Sequence, residues 1–136
     1  MTKIFYSMLV LLLITVAAQA QEESNYVKEH FNKEEVYIPM RDGIKLYTAI
    51  YTPKEAGDYP IMMKRTCYSI RPYGEDQFPS QLGPSKYLME DGFIFVYQDV
   101  RGRWMSEGDF TNMTPNIPGN KHKKETDESS DTFDTI

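Results

Sequence analysis

The residues best equipped for chemistry in this 136-residue chain lie between Gln98 and Phe110. Three acids, two arginines, two glycines and the only tryptophan fall in that one stretch. Asp99, Glu107 and Asp109 are carboxylates of the kind that serve as general acids or bases, and Asp99 is a candidate for the acid of a catalytic triad. Arg101 and Arg103 stand two and four residues beyond Asp99, which favours a structural ion pair or a loop-fixing network for Asp99, Arg101 and Glu107. Gly102 and Gly108 are expected at turns of positive φ. Trp104 either lines a substrate pocket or packs the loop, and residue type alone leaves both open. A thiol nucleophile at Cys67 would need a nearby histidine, and neither His30 nor His122 lies in a patterned segment, so Cys67 reads as a small core residue. A serine nucleophile normally sits on a Gly-x-Ser-x-Gly turn. Ser24, Ser69, Ser80, Ser85, Ser106, Ser129 and Ser130 all fall outside that pattern. No assembled triad is expected within the chain, and no cofactor or metal is expected.

The elements that must carry these residues read as mixed α/β. Phe93 to Val100 is apolar almost throughout, as a central, two-sided strand of a parallel sheet would be. A buried strand ending in a charged, glycine-bearing loop is how α/β proteins place a site on the carboxyl edge of a sheet. Pro60 to Tyr68 forms the preceding strand. Between them Gly83-Pro84-Ser85 opens a short helix, with Tyr87, Leu88 and Met89 facing inward and Gly92 at its end. Strand–helix–strand at this spacing implies a right-handed crossover. Upstream, Val36–Met40 and Ile44–Tyr51 form a hairpin around Asp42-Gly43. Downstream, Asn112 to Lys124 is a loop, and Asp127, Glu128 and Asp131 crowd a helix start from Thr126. Phe133 and Ile136 are its first core-facing pair. Only about two turns of that helix fit before Ile136, so the domain is expected to continue beyond it.

At the other end, Lys3, the apolar run Met8–Val16 and Ala18-Gln19-Ala20 make an export signal with cleavage after Ala20. The run is too short for a stable membrane anchor. Residues 21–34 read as a polar leader, and 35–136 as the partial domain. Loss of the signal removes one positive charge, moving the formal net charge from −5 to −6. Such a surface disfavours nucleic acid and acidic membranes as partners. One cysteine permits no internal disulfide.

Arg65-Thr66-Cys67-Tyr68, with Gly92-Phe93 and then Gln98-Asp99-Val100-Arg101-Gly102 through Ser106-Glu107-Gly108-Asp109-Phe110, resembles the CocE/NonD hydrolases. These form part of the Xaa-Pro dipeptidyl-peptidase-like (S15-type) branch of serine hydrolases, with cocaine esterase, glutaryl-cephalosporin acylases and α-amino acid ester hydrolases. Val36 to Gly43 is similar to that family's first hairpin, and Asp131 to Ile136 to the helix before its nucleophile strand. The resemblance implies the N-terminal part of an α/β-hydrolase fold, ending before the nucleophile elbow. It implies an acylase, esterase or dipeptidyl-peptidase acting through an acyl-enzyme on a small ester, amide or short peptide, which the N-terminal signal would make an exported one. It also implies that Tyr68, in the place of the tyrosine of an Arg-x-Pro-Tyr motif, is the oxyanion-hole donor. Cys67 replaces that proline. Ser69-Ile70-Arg71 follow Tyr68 where the amino-ester hydrolases carry a carboxylate, so amino esters are not singled out. Nucleophile, histidine and acid are expected outside these residues, leaving the isolated chain inactive. The competing class is a non-catalytic secreted module that binds a peptide or glycan around Trp104 and Tyr73.

Overall fold

The apolar runs become strands of one sheet. In the computed structural model, which describes residues 26–118 and 125–136, these are β1 (Phe31–Pro39), β2 (Lys45–Pro53), β3 (Ile61–Thr66) and β4 (Ile94–Asp99). Their order is β1-β2-β4-β3. β1 and β2 form the expected hairpin, closed at Asp42-Gly43 by Gly43 N–H donating to the Met40 carbonyl at 2.9 Å. β2 runs antiparallel to β4, and β4 parallel to β3. The export signal lies outside the described residues. Among those that are described, no helix is long and apolar enough to cross a membrane.

Each face of the sheet is covered by different chemistry. Tyr47, Ala49, Tyr51 and Phe95 project to one side and form the apolar core with Phe31, Val27, Leu82 and Met89. Met89 belongs to α1 (Lys86–Glu90), whose N-terminus is capped by the Ser85 side chain. Burial of four aromatic and aliphatic side chains of this size contributes on the order of 2 kcal/mol each before entropy is counted. Leu88 is half-buried, but Tyr87 is exposed. A helix this short presents a single residue fully to the core, and Met89 takes that position.

The opposite face meets α2 (Glu128–Thr135), and there the contact is polar. Gln98 is fully buried, donates to Thr48 Oγ1 and Thr135 Oγ1 at 2.9 and 3.0 Å, and accepts from Arg65 Nε at 2.7 Å. Arg65 reaches on to the Glu128 carboxylate and Thr132. Consequently α2 buries Ser130 and Asp131, whereas Phe133 and Ile136 are 76% and 93% exposed. The face of α2 that meets this sheet is polar, docked by arginines and a glutamine, and the i, i+3 apolar pair lies outside it. Its N-terminus carries a capping box between Asp127 and Ser130.

β1 begins at Phe31, five residues before the expected Val36, inside the stretch read as leader. Val27 and Phe31 are core residues that polar neighbours conceal. Cys67 is half-buried rather than a core residue.

Carboxylates that hold α2 make its docking acid-sensitive. Arg41 donates from its backbone and side chain to Asp134 at 2.8–3.1 Å, holding that carboxyl below the usual range. The amides of Ile117 and Ser130 lower Asp127 likewise. A carboxylate lowered by folding contributes stability above its unfolded pKa and loses it as pH falls through the folded value. Protection of the α2 amides against hydrogen exchange is therefore expected to be level down to about pH 5 and to drop below about pH 4. Protection independent of pH across that range would contradict the assignment.

Candidate active site

Parallel pairing of β3 and β4 brings two loops together at their carboxyl ends. Thr66 and Asp99 are register partners at the last position of each strand. Two bonds join the loops that follow: Val100 N–H donates to the Thr66 carbonyl at 3.1 Å, and Trp104 Nε1 to the Cys67 carbonyl at 3.0 Å. Tyr68 and Trp104 thus share one edge. The backbone N–H of Tyr68 donates to Thr66 Oγ1 at 3.1 Å. Its side chain is 86% exposed, and among the described residues its hydroxyl makes no hydrogen bond. Ser69 follows with φ at 82°, a conformation that costs a non-glycine residue of order 1 kcal/mol.

Asp99 closes the floor of this edge. It is fully buried and accepts from the Tyr73 hydroxyl at 2.8 Å, Ile70 N–H at 3.1 Å and Met105 N–H at 3.4 Å. Its carbonyl accepts from Ser106 Oγ at 2.6 Å, and that oxygen in turn accepts from Tyr47 N–H at 2.8 Å. Burial pushes the Asp99 carboxyl above its ordinary range, and the three donors only partly offset this. The expected ion pair with Arg101 or Arg103 is not its partner set. Neutral groups from both loops are, so Asp99 fixes loops.

The rest of the stretch is built into the scaffold. Arg101 bridges Asp42 of the hairpin turn and Asp131 of α2, at 2.8 and 2.6 Å. Glu107 extends the β2 pairing, its carboxylate accepting from Lys45 N–H at 2.9 Å and its own N–H donating to the Lys45 carbonyl at 3.0 Å. Gly102 has φ +66°, and a Cβ there would lie 2.1 Å from the Phe110 nitrogen. Only glycine fits where the loop folds back on itself. Gly108, at φ +89°, packs against Arg101 and Ile44. Arg103 lies 4.0 Å above the Phe110 ring. Trp104 is 54% exposed, with its indole N–H bonded to the loop and the Arg71 guanidinium 5.3 Å from its ring.

A buried lysine holds the far end of the Tyr68 loop. Lys33 of β1 donates to the carbonyls of Pro72, Gly74 and Gln77 at 2.8–2.9 Å and pairs with Glu35 at 2.6 Å. Burial alone would raise the Glu35 pKa, but Lys33, Tyr47 and the Gly74 amide outweigh it and lower the pKa. Nothing in the local sequence marks Lys33 as an anchor of this loop, or Ser69 and Tyr73 as a bonded pair reaching Asp99. Their contacts span separations of up to 44 residues or follow an unpatterned loop.

Residues 42–136 match the model of a family described as X-Pro dipeptidyl-peptidase, the S15 family. The chain belongs to that family. It is 36% identical over 78 residues to cocaine esterase from Rhodococcus sp. (strain MB1 Bresler), a match covering 55% of this chain and 13% of that protein. An α-amino acid ester hydrolase of known structure superposes with a TM-score of 0.62 at 38% identity. An aminopeptidase from a marine sediment Thaumarchaeota archaeon does so with a TM-score of 0.61 at 34% identity. Both superpositions cover 78% of this chain and 18% of the other. The S15 chain thus spans less than a fifth of the length of these relatives. Its sheet is the N-terminal part of an α/β-hydrolase fold.

Against that fold, Tyr68 and Trp104 stand at the carboxyl edge with Asp99 beneath them. Arg101, Glu107 and Gly108 lie with the hairpin turn and α2. A polar pocket of about 310 Å³ opens there, lined by Asp42, Arg101, Asp109, Asp127 and Asp131 but by neither Tyr68 nor Trp104. Among the described residues, no group of His, Cys, Asp and Glu is arranged to hold a metal ion.

Proposed function

We propose that this chain supplies the oxyanion side of the site in an exported serine hydrolase that cleaves ester or amide acyl bonds. Tyr68 is the catalytic donor it contributes. The supporting observation is the Tyr68 phenol itself, exposed and without a hydrogen-bonding partner among the described residues, on a sheet edge where the Ser69, Tyr73 and Asp99 side chains are bonded to one another. A serine oxygen, its proton taken by the histidine, attacks the substrate carbonyl carbon, and the C=O π electrons move onto the carbonyl oxygen. The Tyr68 O–H donates to that oxygen as its charge develops. Collapse of the tetrahedral intermediate re-forms the C=O and expels the alcohol or amine, which takes the proton from the histidine. Water then hydrolyses the acyl-enzyme, releasing the acid and restoring the serine. No serine here has a Gly-x-Ser-x-Gly setting, so on this reading the nucleophile belongs outside residues 1–136, with its histidine and acid beside it.

Small esters, amides or short peptides are the substrate class. The relatives named as a cocaine esterase, an amino acid ester hydrolase and an aminopeptidase support that range. A non-catalytic peptide- or glycan-binding module is served less well. It needs Tyr73 on a binding surface, and the Tyr73 hydroxyl is bonded inward to Asp99 and Ser69.

Intact and peptide mass spectrometry of the secreted hydrolase after fluorophosphonate labelling tests this reading. The mature protein is expected to begin at Gln21, with the adduct on a serine outside residues 1–136. An adduct on any serine within them would overturn the assignment of the nucleophile. An N-terminus at Met1 would overturn export by a cleaved signal.

A further inference from the structure

We propose that Tyr73 is the positioning residue for Tyr68, acting through Ser69, an inference that rests on the oxyanion reading of Tyr68. The Tyr73 hydroxyl donates to Asp99 Oδ2 at 2.8 Å and lies 2.9 Å from Ser69 Oγ. Because its proton is committed to the carboxylate, its oxygen can only accept, so the Ser69 hydroxyl donates to it. Ser69 Oγ also accepts from Arg71 N–H at 3.2 Å. Both ends of the Ser69 hydroxyl are therefore occupied, and its χ1 is fixed.

This matters because Ser69 is the residue that aims Tyr68. With φ at 82° it turns the chain directly after the tyrosine. A residue in that region holds its conformation only where its surroundings determine it. Here they do. Asp99 is fully buried at the end of β4, and it also accepts from Ile70 N–H. The Tyr73 ring packs edge-on against Tyr47 of β2, with centroids 5.6 Å apart. Lys33 of β1 ties the next carbonyls, Pro72 and Gly74, to the sheet. Tyr73 thus transmits the rigidity of three strands to one exposed phenol, whose own side chain has no bond to hold it among the described residues.

Kinetics of Tyr73→Phe and Tyr68→Phe in the active hydrolase, singly and together, test the inference. Tyr73→Phe keeps the ring packing and deletes one hydroxyl. It is expected to lower kcat about tenfold with KM unchanged, since misplacing a catalytic group costs rate and not ground-state binding. In a Tyr68→Phe background it should lower kcat no further, because there is no hydroxyl left to aim. Ser69→Ala, which cuts the relay at its other end, should reproduce the same split. Equal losses from Tyr73→Phe in both backgrounds would show a merely structural role and overturn the inference. So would an unchanged kcat in Tyr73→Phe beside a reduced one in Tyr68→Phe, which would leave the oxyanion reading standing. An unchanged kcat in Tyr68→Phe itself would overturn both.

Discussion

Replacing Tyr68 with phenylalanine is expected to lower the kcat of the active hydrolase by about 10²- to 10³-fold while leaving KM near its original value. The magnitude is that of removing one preorganised oxyanion donor, roughly 3–4 kcal/mol of transition-state stabilisation. The direction follows from where charge appears. The substrate carbonyl is a weak acceptor, whereas the tetrahedral oxyanion is a strong one, so the bond matters chiefly after attack has begun. The fold should not register the change. The Tyr68 side chain is exposed and its hydroxyl is unbonded among the described residues, while the backbone bond to Thr66 is retained. Unfolding free energy should stay within about 0.5 kcal/mol of the parent. A kcat within a factor of three of the parent would remove Tyr68 from the mechanism.

Asp99→Ala should instead act on stability, by about 3 kcal/mol or more. The substitution leaves the Ile70 and Met105 amides and the Tyr73 hydroxyl without their acceptor at the base of two loops. Bonds to a charged acceptor contribute about 1.5–3 kcal/mol each, and a buried donor left unsatisfied costs its full desolvation. The raised Asp99 pKa carries the opposite sign to those of Asp127 and Asp134. Folding favours its protonated form, so its contribution grows as pH falls through the raised value. That term reflects the cost of burying the charge, and it does not return the lost acceptor. Asp99→Asn, which keeps one acceptor oxygen, should fall between Asp99→Ala and the parent. Urea unfolding of the three proteins gives the order directly, and an Asp99→Ala protein as stable as the parent would mean the carboxylate ties nothing together.

Strand pattern was legible wherever burial was apolar. Asp42-Gly43 between β-rich runs located the hairpin, and the run ending at Asp99 located the central strand. Where burial is polar, the pattern failed. Lys33 is a charged residue in a polar stretch, yet it is buried because three carbonyls and Glu35 surround its ammonium. That is why the beginning of β1 looked like a leader. Phe133 and Ile136 looked like a docking face, but α2 is held by Arg41, Arg65, Arg101 and Gln98, which need acids and hydroxyls opposite them. An amphipathicity rule assumes that apolar surface meets apolar surface.

The candidate site divides in the same way. Charge and glycine between Gln98 and Phe110 are visible in the sequence, and Tyr68 as the donor comes from the resemblance alone. What the charged stretch does is not visible there, because two of the three donors to Asp99 lie 26 and 29 residues away in a loop without periodicity. The parallel register of Thr66 with Asp99 turns those separations into contact. The stretch that first suggested catalysis serves as the foundation on which a tyrosine thirty residues earlier stands.

The most direct measurement is the affinity of a boronic acid transition-state analogue for the parent hydrolase and for Tyr68→Phe, beside the KM of the matching substrate. A boronate held by the serine places an anionic oxygen where the oxyanion forms, so it reports the donor without turnover. Its Kd is expected to rise by the same factor of about 10²–10³ by which kcat falls, with KM unmoved. Equal boronate affinity in the two proteins would contradict the assignment of Tyr68 to the oxyanion hole.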